Sequence, residues 1–161
     1  MALKRDIAIL ETVPLFSAMD RDALRLIAFA GETKIVRAGD VLFRRGEMSD
    51  GGYLVTSGAV ALDATDDGSP ATVVATAGTL IGELALIIDT ARPATAIARE
   101  PSSVLKIGRS VFRRVLDEYP ELAVAVRDVV AARAEATAAE LAEVRRKLLV
   151  LDGTTSVKRP A

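Results

Sequence analysis

The stretch of sequence that decides the fold of this chain is Ile81-Gly82-Glu83-Leu84-Ala85-Leu86-Ile87-Ile88-Asp89-Thr90-Ala91-Arg92-Pro93-Ala94-Thr95. Gly82 permits a tight turn after a strand, and residues 83–86 favour one helical turn whose first amides lack intrahelical partners. Those amides, with Arg92 folded back over them, would suit a phosphate. Glu83 would be repelled there unless it accepted hydrogen bonds from hydroxyls, which predicts a ligand with a phosphate and a sugar hydroxyl. A plain Glu83–Arg92 salt bridge is the alternative that these two residues alone leave open.

Short apolar runs separated by Gly- and Asp-containing turns surround this stretch. The pattern predicts strands at Thr33–Arg37, Val41–Phe43, Tyr53–Ser57, Ala59–Ala64, Ala71–Ala75, Thr79–Ile81, Thr95–Arg99 and Ser103–Ile107. Many short strands at regular spacing are typical of a β-sandwich or barrel. The chain lacks the strand–helix alternation that a dinucleotide-binding fold needs.

Helices are predicted before the strands. Apolar residues recur with helical spacing over Leu3–Leu10, and again in a second helix that is capped within Ser17–Asp20 and ends at Gly31. Pro14-Leu15-Phe16 lies between them and is expected to form a buried apolar plug.

Helices are also predicted after the strands. Ser110 can cap a helix to about Glu118, and a long helix follows from Pro120 to about Val150. About 30 helical residues reach roughly 45 Å, which is longer than such a domain is wide. Two sets of residues spaced seven apart lie on this helix. The first set is Val130, Thr137, Val144 and Leu151, and the second is Ala134, Leu141 and Leu148. We therefore favour a homodimer seam over a helix that lies on the barrel.

The composition excludes several kinds of chemistry. The 161 residues contain no cysteine and no histidine, which removes disulfides, thiol nucleophiles, imidazole bases and Cys/His metal sites. We expect no catalytic residues and no metal ligands. The net charge of −1 argues against a surface that coats DNA or an anionic membrane. Because no segment resembles a targeting signal or a membrane span, we expect a cytoplasmic protein.

The quoted stretch closely resembles the phosphate-binding cassette of cyclic nucleotide-binding domains, found in protein kinase A regulatory subunits, cyclic-nucleotide-gated channels and bacterial catabolite activator proteins. The family motif, Gly-Glu-Leu-Ala-Leu, a short loop and Arg-x-Ala-Thr, is present at the family spacing. The resemblance extends to Gly39–Phe43, Arg45–Glu47 and Tyr53–Gly58, and covers roughly residues 12–135.

This resemblance implies an α+β fold, in which an antiparallel β-roll (a jelly-roll-like barrel) carries N-terminal helices, a short cassette helix and a long C-terminal helix. We expect one domain over residues 1–151 and a disordered tail over residues 152–161. Its parts would be the N-terminal helices (1–31), the β-roll (32–108) with the cassette (81–95), and the lid and dimerisation helices (109–151).

The resemblance also implies roles for matching cassette residues. Arg92 would pair with the exocyclic phosphate oxygens, and Glu83 would accept the ribose 2′-hydroxyl. Gly82 and Ala85 would contribute backbone groups near the ribose and phosphate, and Ala94 would line the pocket beneath the phosphate.

Four further cassette residues need separate comment. Leu84 and Leu86 are expected to pack in the core and couple the cassette to the moving helices. Leu84 and Thr95 are also counted among the candidate ligand-binding residues as members of the motif. Pro93 departs from the Ala, Ser or Thr usual in the family and offers neither an N–H nor a hydroxyl, which lowers the expected affinity. Because Thr at this position is associated with cGMP preference, Pro93 favours cAMP.

The residue that caps the base is left open. In the bacterial activators a Thr of the long helix can touch the adenine amino group, and Thr137 occupies that place. Helix-surface polarity explains Thr137 equally well, and Val126, Val130 and Arg133 are the other candidates.

The function implied is a non-enzymatic sensor that binds cAMP, with cGMP less favoured, and needs no cofactor. Ligand binding would tighten the cassette and move the helices after Gly108. The expected partners are a second copy of the chain and an effector protein. A helix-turn-helix domain would need about 60 residues after the long helix, and only Asp152–Ala161 follow, so DNA binding is not expected. A truncated activator-type transcription factor and a degenerate cassette used for dimerisation or docking are the alternatives.

Overall fold

Helices precede and follow eight strands in the computed structural model, which describes residues 2–17, 19–64, 73–128 and 131–132. The elements are α1 (Ala2–Glu11), a 3₁₀ turn (Pro14–Phe16), α2 (Arg21–Ala30), β1 (Glu32–Val36), β2 (Val41–Phe43), β3 (Gly51–Ser57), β4 (Ala59–Asp63), β5 (Val73–Thr76), β6 (Leu80–Ile81), a second 3₁₀ turn (Leu84–Leu86), β7 (Thr95–Ala98), β8 (Ser102–Gly108) and α3 (Arg109–Glu118). Residues 120–126 are helical again. The chain separates into two compact units, Met1–Val126 and Arg127–Ala161, and all of these elements belong to the first.

The strands form two four-stranded sheets, in the orders β1-β8-β3-β6 and β2-β7-β4-β5. All neighbouring strands in these two sheets run antiparallel. Both sheets contribute to one buried apolar cluster, which consists of Phe43, Tyr53, Val55, Val60, Ala75, Ile81, Ala96 and Val104. The predicted α+β fold is confirmed, and each predicted strand is present, with ends in the described residues that differ from the prediction by at most two residues. The described strands form two sheets and not one closed barrel.

Helix α2 begins and ends at its predicted caps. The Asp20 carboxylate accepts a hydrogen bond from the Ala23 N–H at 2.9 Å, and the Gly31 N–H donates to the Ile27 carbonyl at 2.8 Å. The apolar plug is also confirmed, because Phe16 is fully buried and meets Phe112 of α3 edge-on at 6.1 Å between ring centroids. This aromatic pair packs α3 against the N-terminal segment.

Helix α3 begins two residues earlier than predicted. Its N-cap is Gly108, not Ser110, and no side chain caps it. Gly108 still pairs with Gly51 in the β3–β8 ladder, and the Arg109 N–H donates to the Asp50 carbonyl at 2.7 Å. A strand that runs directly into a helix leaves its first amide to the neighbouring backbone, so a hydroxyl cap is not needed there.

Several predictions lie outside the described residues: the heptad seam, the base-capping candidates Thr137, Arg133 and Val130, and the tail 152–161. The proposed limits of the domain stay predictions. Val126, the remaining base-capping candidate, is buried. Among the described residues, no helix has the length and apolar character that a membrane span requires.

Candidate functional site

Arg92 lies at the centre of the cassette and its side chain is buried, with 4% exposed. Its guanidinium carbon lies 4.3 Å from the ring centroid of Phe43 and 5.6 Å from that of Tyr53. The turn after β2 holds the backbone of Arg92 from both sides. The Arg92 N–H donates to the Glu47 carbonyl at 2.7 Å, and the Gly46 N–H donates to the Arg92 carbonyl at 2.9 Å. The position of this arginine is therefore fixed by its backbone and by two aromatic rings.

The two terminal nitrogens of this buried guanidinium differ in their contacts. Nη1 of Arg92 makes no hydrogen bond within the part of the chain that the structure describes. Nη2 lies 4.0 Å from a carboxylate oxygen of Asp50, whose other oxygen accepts from the Lys106 ammonium at 3.0 Å. Burial lowers the pKa of Arg92, although an arginine stays protonated at neutral pH. A buried charged donor without an acceptor costs free energy, so the site suits an incoming anion.

Asp50 is held as a carboxylate by its neighbours. The hydrogen bond from Lys106 lowers the pKa of Asp50, and the charge of Arg92 acts in the same direction. Asp50 is itself 71% exposed, so it is a weak counter-ion that an anionic ligand can replace.

Gly82 allows the guanidinium to occupy its position. Its φ of +80° lies in the left-handed region that favours glycine. A Cβ atom at this residue would lie 2.7 Å from Nη1 of Arg92 and 3.6 Å from the Gly51 carbonyl oxygen. The unpartnered nitrogen therefore lies directly against the backbone where the cassette begins.

The short helix of the cassette is a single 3₁₀ turn. The Ala85 N–H donates to the Gly82 carbonyl at 3.0 Å, and the Leu86 N–H donates to the Glu83 carbonyl at 3.2 Å. The prediction that the first amides of this turn lack partners is therefore wrong for these two residues. Leu86 is fully buried, but Leu84 is 49% exposed, so the prediction that both leucines pack in the core is wrong for Leu84. The three residues of a 3₁₀ turn point in three directions 120° apart, and here Ala85 and Leu86 take the two buried directions, which leaves Leu84 facing outward. Glu83, the N-cap residue of the turn, is half-buried.

The residues that follow Arg92 differ in exposure. Pro93 is exposed, Ala94 is half-buried and Thr95 is buried. The Thr95 hydroxyl oxygen accepts from the Arg45 N–H at 2.9 Å and so joins the start of β7 to the turn after β2. Thr95 thus has a structural contact, and its role toward a ligand stays a prediction.

Arg109 also contacts the cassette, although no sequence motif singled it out. Its Nε donates to the Ala85 carbonyl at 2.9 Å, and its Nη2 lies 3.8 Å from a carboxylate oxygen of Asp89. One signal could have identified it. A cation at the first position of a helix opposes the helix dipole, which suggests that it has a specific partner elsewhere.

Two antiparallel sheets that share one apolar cluster and carry an arginine-centred cassette define an α+β domain of the β-roll type. Residues 33–119 match the family model of the cyclic nucleotide-binding domain, and the chain belongs to that family.

Three similar proteins illustrate the relationship. The chain is 32% identical over 115 residues to the "cAMP-dependent protein kinase regulatory subunit" of Schizosaccharomyces pombe, a match that covers 71% of this chain and 27% of that protein. It resembles the structure of a "cyclic nucleotide-binding-like protein" from Brucella abortus, with a TM-score of 0.64, 40% identity, and coverage of 70% of this chain and 97% of that chain. It also resembles the N-terminal domain of a transcriptional regulator from Streptomyces coelicolor A3(2), with a TM-score of 0.73, 32% identity, and coverage of 80% and 91%. The chain thus spans about a quarter of the length of the kinase subunit.

Proposed function

We propose that this chain is a non-catalytic regulatory domain that binds cAMP, with Arg92 as the ligand of the cyclic phosphate. The observation that carries the proposal is the buried Nη1 of Arg92, which has no acceptor within the described residues. The two exocyclic oxygens of a cyclic phosphate match the planar fork of a guanidinium, and charge-assisted pairs of this kind are strong. The similarity to a kinase subunit named for cAMP supports the choice of nucleotide.

The remaining roles follow from the positions of the cassette residues. Glu83, half-buried at the start of the 3₁₀ turn, would accept the ribose 2′-hydroxyl. Gly82 would offer backbone groups to the ribose and phosphate, and Ala94 would line the pocket below. The Ala85 N–H would have to leave the Gly82 carbonyl before it could contact the phosphate. Ligand binding would shift the conformational equilibrium of the helices after Gly108. A second copy of the chain and an effector protein would respond to that shift.

Calorimetric titration with cAMP and cGMP tests this function, with 5′-AMP as a control that carries an acyclic phosphate. We expect cAMP to bind with a Kd of about 1 µM or less and to raise the melting temperature, because a ligand that binds only the folded state stabilises it. Failure of both cyclic nucleotides to bind at millimolar concentration would overturn the proposal. It would favour the alternative of a degenerate cassette that serves for dimerisation or docking.

Pro93 provides a test of the preference for cAMP. Pro93→Thr adds a hydroxyl at an exposed position beside Arg92, and one hydrogen bond contributes about 0.5–1.5 kcal/mol. We expect the affinity for cGMP to rise by about two- to tenfold relative to that for cAMP. Pro93→Val is the matched control, since valine has the shape of threonine without the hydroxyl. An equal gain in the Val variant would show that loss of the proline ring, and not the hydroxyl, is responsible.

A second candidate function is the sensor part of a transcriptional regulator. The similarity to the N-terminal domain of such a regulator favours it. The cassette would bind cAMP in the same way, but the output would be a DNA-binding domain on the same polypeptide. Binding of promoter DNA by the natural full-length gene product, measured with and without cAMP, separates the two functions.

A further inference from the structure

Strand β1 is an open edge of its sheet. It pairs with β8 on one side, and no strand of the described residues pairs with it on the other. An edge strand presents a row of free N–H and C=O groups, which natural proteins protect with prolines, bulges or charges. β1 contains no proline and pairs with β8 without a register shift, and its two charged residues, Glu32 and Lys34, are of opposite sign. This edge is therefore suited to a further strand whose charges complement its own.

Two large apolar side chains lie near the two ends of this edge. Ile35 is 84% exposed and Phe29, near the end of α2, is 79% exposed, and no other large apolar side chain among residues that the structure describes is more exposed. Thr33 and Ile35 lie on the same face of the sheet as Leu105, with which Thr33 pairs. Helix α2 ends on that face, because a Cβ at its C-cap Gly31 would meet the Leu105 side chain. Ile35 thus lies on the helix side of the sheet and is not covered by α2.

Within one chain, Phe29 and Ile35 are too far apart to bury each other. Gly31 has an extended backbone, with φ −71° and ψ 157°, so the chain passes directly from α2 into β1. Four extended residues from Gly31 to Ile35 span about 13 Å, and Phe29 precedes Gly31. An antiparallel copy of β1 has the reverse direction. It would bring the end of one strand, with Ile35, beside the start of the other, with Phe29.

The charges of β1 select one register for such a pair. A two-fold axis perpendicular to the sheet pairs residues of the same face, so it passes between a residue and its own copy. An axis at Glu32 or at Lys34 would place like charges directly opposite each other, which is unfavourable. An axis at Ile35 or Val36 would place Lys34 opposite an uncharged residue. An axis at Thr33 places Glu32 of each copy opposite Lys34 of the other.

We propose that β1 is an interface between two copies of this chain, which pair antiparallel about a two-fold axis at Thr33. One face of the pair then carries two Glu32–Lys34 ion pairs. On the other face, Ile35 lies opposite Gly31 of the second copy, beside its Phe29. The pairing extends the four-stranded sheet to eight strands across the two copies. It requires no nucleotide and uses none of the residues of the predicted helix seam.

The expected association is weak. Each copy contributes one strand of five residues and one aromatic side chain, which is a small interface. We therefore expect a Kd of about 10–100 µM.

Disulfide formation tests the register, because the full chain has no native cysteine. In Thr33→Cys, the two Cα atoms across the axis would lie about 4.5–5.5 Å apart, a distance that a disulfide spans. Arg37→Cys is the matched control, since its two copies would lie eight extended residues, or about 26 Å, apart. Both positions are exposed. Under mild oxidation at about 100 µM protein, we expect Thr33→Cys to form a covalent dimer at least about tenfold faster than Arg37→Cys.

A second substitution in the Thr33→Cys chain tests the ion pairs. Lys34→Glu would place two carboxylates opposite each other at both ends of the pair, so we expect it to slow covalent dimer formation by about fivefold or more. Lys4→Glu makes the same change of charge at an exposed position of α1 and should leave the rate unchanged. Circular dichroism checks that each variant keeps the parent fold.

Three results would overturn the proposal. Equal rates in Thr33→Cys and Arg37→Cys would show that the copies meet by collision alone. A rate in Ile35→Cys as high as that in Thr33→Cys would contradict the axis at Thr33, which separates the two Ile35 positions by about 13 Å. An unchanged rate after Lys34→Glu would remove the ion pairs that select the register. Because the assay contains no nucleotide, none of these results bears on the proposed function.

Discussion

Replacement of Arg92 by methionine is expected to remove most of the affinity for cAMP. Arg92 offers a buried guanidinium whose Nη1 has no acceptor within the described residues. Removal of one partner from a buried charged pair typically costs about 2–5 kcal/mol of binding free energy, or about 30-fold to several thousandfold in Kd. Among single substitutions at this site, Arg92→Met is expected to have the largest effect on the affinity for cAMP.

The same substitution is expected to change the free energy of unfolding by less than about 1 kcal/mol. The guanidinium gains from its position 4.3 Å above the Phe43 ring, a contact of about 2 kcal/mol when desolvated. It loses a comparable amount because a buried cation with an unpartnered nitrogen is poorly solvated. Methionine keeps the apolar stem, and its sulfur makes favourable contacts with aromatic rings. Binding and stability should therefore respond separately at this residue.

Calorimetry measures the affinity of Arg92→Met, and urea denaturation measures its stability. Arg37→Met removes the same charge from an exposed turn and should leave both quantities unchanged. Arg92→Lys keeps the charge without the planar fork, so its affinity should fall between those of the parent and the Met variant. An Arg92→Met protein that binds cAMP within about threefold of the parent, a difference below 1 kcal/mol, would place the phosphate elsewhere.

The strands could be predicted because local sequence determines where each begins and ends. Gly39, with a φ of +91°, marks the turn between β1 and β2, and similar turn residues separate the other strands. The apolar runs between the turns supply the core, since Tyr53, Val60 and Val104 come from three different runs and meet in one cluster. A pattern of this kind specifies strand limits but not strand order, which depends on contacts between distant residues.

The candidate site was predictable only in part, for the same reason. The motif identified Gly82 and Arg92, whose spacing along the chain is short. The contacts of Arg109 join it to residues 24 and 60 positions away, and no local pattern reports a pairing at that separation. Leu84 was wrongly predicted to be buried, because one helical turn is too short for apolar periodicity to show which residue faces the core.

Replacement of Gly82 by alanine is expected to weaken cAMP binding by about tenfold or more, or about 1.4 kcal/mol. Its Cβ would lie 2.7 Å from Nη1 of Arg92, whereas its other near neighbours are backbone atoms of β3, Gly51 O at 3.6 Å and Gly52 Cα at 3.7 Å. The strand cannot yield as easily as the end of a side chain, so the guanidinium must move. The variant should also lose about 1–2 kcal/mol of stability, because an L-residue is strained at a φ of +80°.

Gly39→Ala separates the displaced arginine from the backbone strain. Gly39 has a φ of +91°, and a Cβ there would meet nothing within 4 Å. Both alanine variants should therefore lose similar stability in urea denaturation, while only Gly82→Ala loses affinity in calorimetry. Equal losses of affinity would trace the effect to general destabilisation. Full affinity in Gly82→Ala would mean that the phosphate does not depend on the guanidinium position that this glycine permits, and the assignment of Arg92 Nη1 as the anion donor would fail.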